Sequence, residues 1–259
     1  MLLVPFFQNV AADFKAAAAA AFLCDAADFD GTNDYMLRGA DLTGIADGKA
    51  GTLSIWFRID GGDGAIRRVF TLQTGSGTPG FSFLFLASNK IRVTALNAAG
   101  TAILRKDTTP TYTAGATWYG LQVSWDLAAT TSHIYIQDSA PALDSDINTD
   151  DTIDYTKGNC AIGAQGDGAA KFNGCLAEVF FHTTYIDLSV EANRRKFITA
   201  GLKPVDLGAD GSTPLGVQPL VYQRIADGGL AASFATDLGS GGDFTITGTL
   251  DVCDSSPTD

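Results

Sequence analysis

The chain has 259 residues, 46% of them hydrophobic, and a formal net charge of -12. A chain of this length buries roughly 70–75% of its unfolded surface without covalent staples, so its four cysteines need not form a disulfide scaffold. An isoelectric point near 4.4 argues against nucleic acid or an anionic membrane as partner, since both call for a basic patch.

The first 23 residues read as an arm. An apolar MLLVPFF leads into an alanine run, but no Lys or Arg precedes it, and Pro5, Asp13 and Lys15 interrupt it. It is therefore a poor signal peptide and too short and broken to span a bilayer. The expectation is an extended piece over Leu2 to Phe7 and a helix over Ala11 to Phe22, favoured by helix-prone alanine. That helix either caps one end of the fold or docks on a neighbouring subunit.

Period-2 alternation fills the middle of the chain. Leu53, Ile55, Phe57 and Ile59 fall on one face, with Ser54, Trp56 and Arg58 on the other, as in a half-buried antiparallel strand. Tyr119, Leu121, Val123 and Trp125 oppose Trp118, Gly120, Gln122 and Ser124 in the same way. Ile134 and Ile136 then oppose His133, Tyr135 and Gln137. Glycine-rich turns separate these runs, which predicts two packed antiparallel sheets. Phe81 to Leu86 is apolar on both faces apart from Ser82, the mark of a central strand covered on both sides or of one that meets a partner.

Five pieces in order carry a family resemblance: FDGTNDYML from Phe29, LSIWFRID from Leu53, TWYGLQVSWD from Thr117, SHIYIQD from Ser132 and AIGAQGDGAAKFNGCLAEVFF from Ala161. Together they resemble a laminin G-like, concanavalin A-type domain. The resemblance implies an all-β, two-sheet antiparallel jelly roll over 24–200, opening on a hairpin at Gly31 and Asn33 and closing on one helix near 187–199. The fold hosts lectins, glycosidases, adhesion modules and structural parts, so it names no function.

Composition shifts after Gly201. Residues 201–219 are rich in Gly and Pro without periodicity and read as a surface connection. Beyond them, Leu220 to Ile225 and Asp243 to Leu250 each read as one strand, too few for a sheet of their own. They are expected to join the main sandwich or to pair with another chain. The ending FATDLGSGGDFTITGTLDVCDSSPTD, with the earlier GLKPVDLGADG, is similar to C-terminal tails of virion proteins of tailed bacteriophages.

Catalytic machinery is not evident. Glucanases of this architecture carry closely spaced acids on one strand, one carboxylate attacking the sugar and another protonating the leaving group. Here Glu178 stands alone and reads as a strand residue facing solvent or pairing with an arginine; His133 and His182 lie apart from any nucleophile motif. No catalytic residue is expected. The one cofactor to weigh is Ca²⁺, for which the loop DSDINTDDTID supplies Asp144, Asp146, Asp150, Asp151 and Asp154 as hard oxygen ligands, although it lacks the glycine and glutamate of an EF-hand.

The cysteines at 24, 160, 175 and 253 allow three full pairings, which the sequence leaves open. Cys160 and Cys175 flank a glycine-rich loop and pair if their strands face in one register. FNGC resembles the laminin G-like FxGC, whose cysteine pairs with one near the domain end, here Cys253. Free buried thiols are the remaining alternative, and suit a particle assembled in a reducing compartment.

Two functions follow as expectations. The leading one is a non-enzymatic bacteriophage virion protein, a decoration, tail or fibre component assembled in the host cytoplasm with copies of itself or other virion proteins. On that reading the two ends contact other chains, against the alternative that Phe6, Phe7, Phe234 and Phe244 are buried within the chain itself. The other function is an extracellular carbohydrate-binding or adhesion module, stacking sugar rings on Trp56, Tyr112, Trp118 and Tyr135.

Overall fold

The computed structural model describes residues 22–75 and 77–259. Among the described residues seventeen strands run in chain order: β1 (Cys24–Asp25), β2 (Ala27–Asp30), β3 (Tyr35–Leu37), β4 (Ala50–Ile59), β5 (Arg67–Leu72), β6 (Phe81–Phe85), β7 (Lys90–Leu96), β8 (Ala102–Thr111), β9 (Trp118–Asp126), β10 (Thr131–Ile136), β11 (Leu143–Asn148), β12 (Cys160–Ile162), β13 (Asn173–His182), β14 (Val221–Gln223), β15 (Ile225–Ala226), β16 (Thr245–Thr247) and β17 (Asp251–Val252). One sheet has the order β10-β9-β4-β13-β2-β17, with β14 also on β13; the other runs β11-β8-β7-β6-β5-β12-β3-β16, and β1 pairs β15 apart from both. This is the expected two-sheet antiparallel jelly roll. The arm and helix expected within residues 1–21, with Phe6 and Phe7, lie outside the described residues.

The inward phases are as the alternation predicts. Leu53, Ile55, Phe57, Ile59, Leu121, Val123 and Trp125 are fully buried in one core with Ile134 and Ile136. From the other sheet, Phe81 stacks on Trp125 at 4.8 Å, and Phe57 packs between Phe83 and Phe85. The outer face of β6 is closed within the chain: Arg68 donates to Ser82 Oγ at 3.0 Å, and Arg68 and Arg92 stand in register with buried Leu84.

The opening hairpin is corrected. Asp30 Oδ1 accepts the backbone N–H groups of Thr32, Asn33 and Asp34, and Gly31 has φ +71°, where a side chain would strike Asn173. This is a tight Asp-centred turn. It joins two sheets, however: β2 pairs β13 in one, and β3 pairs β12 in the other. The chain turns a corner of the sandwich.

The outer face of β4 is also covered, where the sequence suggests a half-buried strand. Trp56 packs with Cys24, Ala26, Cys175, Ala177 and Ile198. Beside it Phe180, Ile186, Leu188, Phe197, Leu207 and Tyr222 make a second outer cluster. The helix expected near 187–199 is a single turn, Glu191–Arg194. Phe197 and Ile198, consecutive in sequence, enter the two different clusters, which directs the chain along the sheet after that turn.

The extension joins its own sandwich. β14, β15, β16 and β17 pair with β13, β1, β3 and β2, and Thr249 N–H donates to Asp34 Oδ1 at 2.8 Å. Phe234 and Phe244 are buried in the single chain, with Phe234 edge-on to Phe29. Of the two alternatives for the extension, it is joining the main sandwich that the pairing of β14, β16 and β17 shows.

Candidate functional site

Both sheets end on the same side of the sandwich in a free edge, β10 on one and β11 on the other. Between them lies a cleft of about 150 Å³, lined by Lys106, Ser132, His133, Tyr135, Leu143 and Asp146 among others. Lys106 on β8 reaches across to Ser132 O at 3.4 Å and forms an ion pair with Asp146; the Ser132 hydroxyl donates to Asn148. These links hold the edges together while leaving polar side chains along the rim. His133 Nε2 lies 3.2 Å from the Tyr185 hydroxyl and 3.4 Å from Asp187 Oδ1. Burial, partly offset by Asp187, keeps the His133 ring below its ordinary pKa. The cleft thus offers a neutral imidazole, a phenol and a lysine–aspartate pair, a mixed donor and acceptor set.

Of the four aromatic residues expected to meet sugar, the structure brings Tyr135 to this cleft. The Arg194 guanidinium, held by Asp138 at 2.6 Å, lies 4.4 Å from the Tyr135 ring centroid, and Tyr135 also packs against the outer cluster of Phe180 and Leu188. Trp56 and Tyr112 are 2% and 8% exposed, too buried to stack on a sugar, and the expectation for them is corrected. Tyr112 is wedged against Tyr119, 5.3 Å away, under the turn after β8. Trp118 is partly covered: its Nε1 donates to Ser255 Oγ at 3.2 Å and Arg58 lies over its ring.

Nor do the aspartates of residues 144–154 gather around a cation position. Asp144 pairs with Lys90, Asp146 with Lys106, and Asp150 with Lys49 at 2.7 Å; Asp151 accepts from Asn97 at 2.7 Å, and Asp154 pairs with Lys157. Strand alternation and the following turn send neighbouring carboxylates to different partners. The Ca²⁺ expectation is corrected accordingly. The Cys160–Cys175 pairing is corrected too, because β12 and β13 belong to different sheets. Cys175 is joined to Cys253, with Cα atoms 6.2 Å apart, and Cys160 and Cys24 are buried free thiols.

Residues 30–187 match the family model described as the concanavalin A-like lectin/glucanases superfamily. The chain belongs to this superfamily. A candidate carbohydrate binding protein from Bacteroides ovatus ATCC 8483 is similar at TM-score 0.58 and 14% identity, over 91% of this chain and 61% of that one. The SAP-like pentraxin of Limulus polyphemus gives 0.46 at 11% identity, over 64% of this chain and 78% of that one. Domains LG4-5 of the mouse laminin alpha1 chain give 0.43 at 9%, over 67% and 46%. At these identities the likeness is one of fold. This chain spans less than two thirds of the Bacteroides ovatus protein. No curated protein matches it in sequence, and the bacteriophage resemblance of the tail finds no support among these comparisons.

In a superfamily that includes glucanases, Glu178 needs an account, and it is the residue sequence reasoning misplaced. It is 2% exposed rather than facing solvent. The register of β13 against β4 shifts between Ala177 and Phe180, and Glu178 is the extra residue, at φ +48°. On its other edge β13 changes partner there, from β2 up to Leu176 to β14 from Val179. Glu178 Oε2 accepts the Tyr222 hydroxyl at 2.7 Å, and Oε1 lies 3.8 Å from Arg224 Nε without a hydrogen bond. Burial pushes its pKa up to about 7, against the hydrogen bond from Tyr222 and the charge of Arg224. Cys24, Tyr222 and Arg224 close over it, and a sealed carboxyl cannot attack a sugar.

Proposed function

We propose that the chain is a carbohydrate-binding module without hydrolytic activity, contacting glycan at the cleft between β10 and β11. The observation that carries the reading is the convergence of Tyr135, His133, Lys106 and Asp146 at one rim of a lectin-type sandwich. Sugar recognition takes an apolar ring surface beside a few fixed hydrogen-bonding groups, and the rim has both. Membership of the lectin/glucanase superfamily supports it, as does the likeness in fold to a candidate carbohydrate binding protein of Bacteroides ovatus. A disulfide between Cys175 and Cys253 suits an oxidising, extracellular location.

Assembly into a virion has less behind it. The tail resemblance that motivates it has no counterpart among the similar proteins, and Phe234 and Phe244 are buried inside the chain rather than left for a partner. A glycan array with the wild-type chain tests the proposal. Retention of one glycan class is the expected result; no retention of any glycan, with self-assembly into large particles instead, favours the virion reading.

A further inference from the structure

The outer face of the second sheet, turned away from the core, gathers basic side chains. Alternation puts Arg68 of β5, Arg92 of β7 and Arg105 of β8 there, since Val69, Ile91, Val93 and Leu104 beside them in sequence are core. Register sets them in two rows. Arg68, Leu84, Arg92 and Asp107 stand abreast across β5, β6, β7 and β8, and Thr71, Ser82, Thr94 and Arg105 stand abreast in the next row. Thr71, Ser82 and Thr94 are buried, a floor of short side chains among the long ones. At about 4.8 Å per strand, the face runs about 14 Å from β5 to β8. Lys171 extends it past β5, because Ala170 O accepts the Arg68 N–H and Phe172, the residue after Lys171, is core.

The chain holds 29 acidic residues against 17 lysines and arginines, so carboxylates are in excess. Even so, the ion pairs among the described residues include Arg92 with Asp107 but none with Arg68, Arg105 or Lys171. Arg68 donates to Ser82 Oγ at 3.0 Å, and Nε of both Arg68 and Arg105 is buried without a partner. Burial pulls the Arg68 guanidinium below its ordinary pKa, and Asp167 offsets only part of that. A half-buried guanidinium that has lost water without gaining a carboxylate is stabilised by an anion from outside.

We propose that this face binds a carboxylated polysaccharide, a chain of uronate residues lying across β5 to β8 with its carboxylates on Arg68, Arg105 and Lys171. Planar guanidinium forks match carboxylates through two parallel hydrogen bonds, which favours that group over a diffuse charge. Cations spread over about 14 Å suit charges repeated along a polymer better than one small anion. The net charge of -12 disfavours nucleic acid and anionic membrane, whose dense charge would meet the acidic remainder of the surface. This face lies outside the cleft between β10 and β11, and its binding is independent of the cleft.

The test is calorimetric titration of the full chain with a galacturonate octamer at low ionic strength, beside the fully methyl-esterified octamer. Binding of the octamer, absent for the ester and weakened by salt, is expected. Arg68→Ala and Arg105→Ala each weaken it at least about tenfold. Arg105→Lys keeps the charge but not the fork and falls between wild type and Arg105→Ala. Lys49→Ala, which removes a charge paired with Asp150 elsewhere, leaves the affinity unchanged. Near-ultraviolet circular dichroism reports the sandwich in each variant. No binding of the octamer, equal binding of the ester, or a loss in Lys49→Ala as large as in Arg105→Ala overturns the proposal. Octamer binding that survives in Arg105→Ala and is lost in Tyr135→Ala places the ligand in the cleft and overturns it as well.

Discussion

The Tyr222 hydroxyl donates to Glu178 Oε2 at 2.7 Å, joining the C-terminal extension to the residue at which β13 changes neighbour. A lone glutamate in sequence thus becomes a buried fastening between two parts of the chain, far from any role in sugar chemistry.

That fastening is pH-dependent. The folded chain holds the Glu178 proton up to about 7, above the ordinary 4.5, so between those values it binds more protons than the unfolded chain. The contribution of Glu178 to stability is therefore greatest below about pH 4.5 and falls as pH rises to about 7. Glu178→Gln should remove this slope, so that its stability relative to wild type rises with pH across this window. Urea unfolding from pH 4 to 8 checks it; parallel profiles for the two proteins contradict it.

The Cys175–Cys253 bond closes a sequence separation of 78 residues. Cys253→Ser should lower stability by about 2–4 kcal/mol, because the unfolded chain regains the freedom of that loop. Thermal unfolding under oxidising conditions measures it, and a midpoint equal to wild type speaks against the tie.

Within the core, Trp125 Nε1 donates to the Tyr155 hydroxyl at 2.8 Å, which donates in turn to Ala50 O at 2.9 Å. Tyr155→Phe leaves a buried donor and acceptor unpaired and should cost about 1–3 kcal/mol. Trp125→Ala, which also empties the space beside Phe81, should cost roughly 3–5 kcal/mol. Chemical denaturation orders the two variants, and a Tyr155→Phe variant as stable as wild type would mean that the relay adds nothing.

The sequence discloses what depends on near neighbours. Leu53, Ile55 and Phe57, or Leu121 and Val123, declare their face because alternation is local. Asp30 and Gly31 declare a tight turn for the same reason. Whether that turn closes a hairpin or a corner depends on β13 and β12, more than a hundred residues away, so the corner was not legible. The same holds for Trp56, an outward residue by phase, which Ile198 and the disulfide region cover from distant segments. Glu178 was lost to a bulge, since one extra residue in β13 moves it off the alternation and leaves no mark in composition. At the cleft Tyr135 and His133 were visible as outward residues of one strand. Their meeting with Lys106 and Asp146 was not, because it depends on two sheets ending together.

The cleft between β10 and β11 is the central claim, and mapping amide chemical shifts of the labelled chain as a bound glycan is titrated in tests it most directly. Shifts are expected to concentrate at Ser132–Tyr135, Ala140–Asp146 and Lys106, with Tyr135→Ala weakening binding at least about tenfold. Shifts concentrated elsewhere, such as around Arg224 and Leu238, or full affinity in the Tyr135→Ala variant, would contradict it.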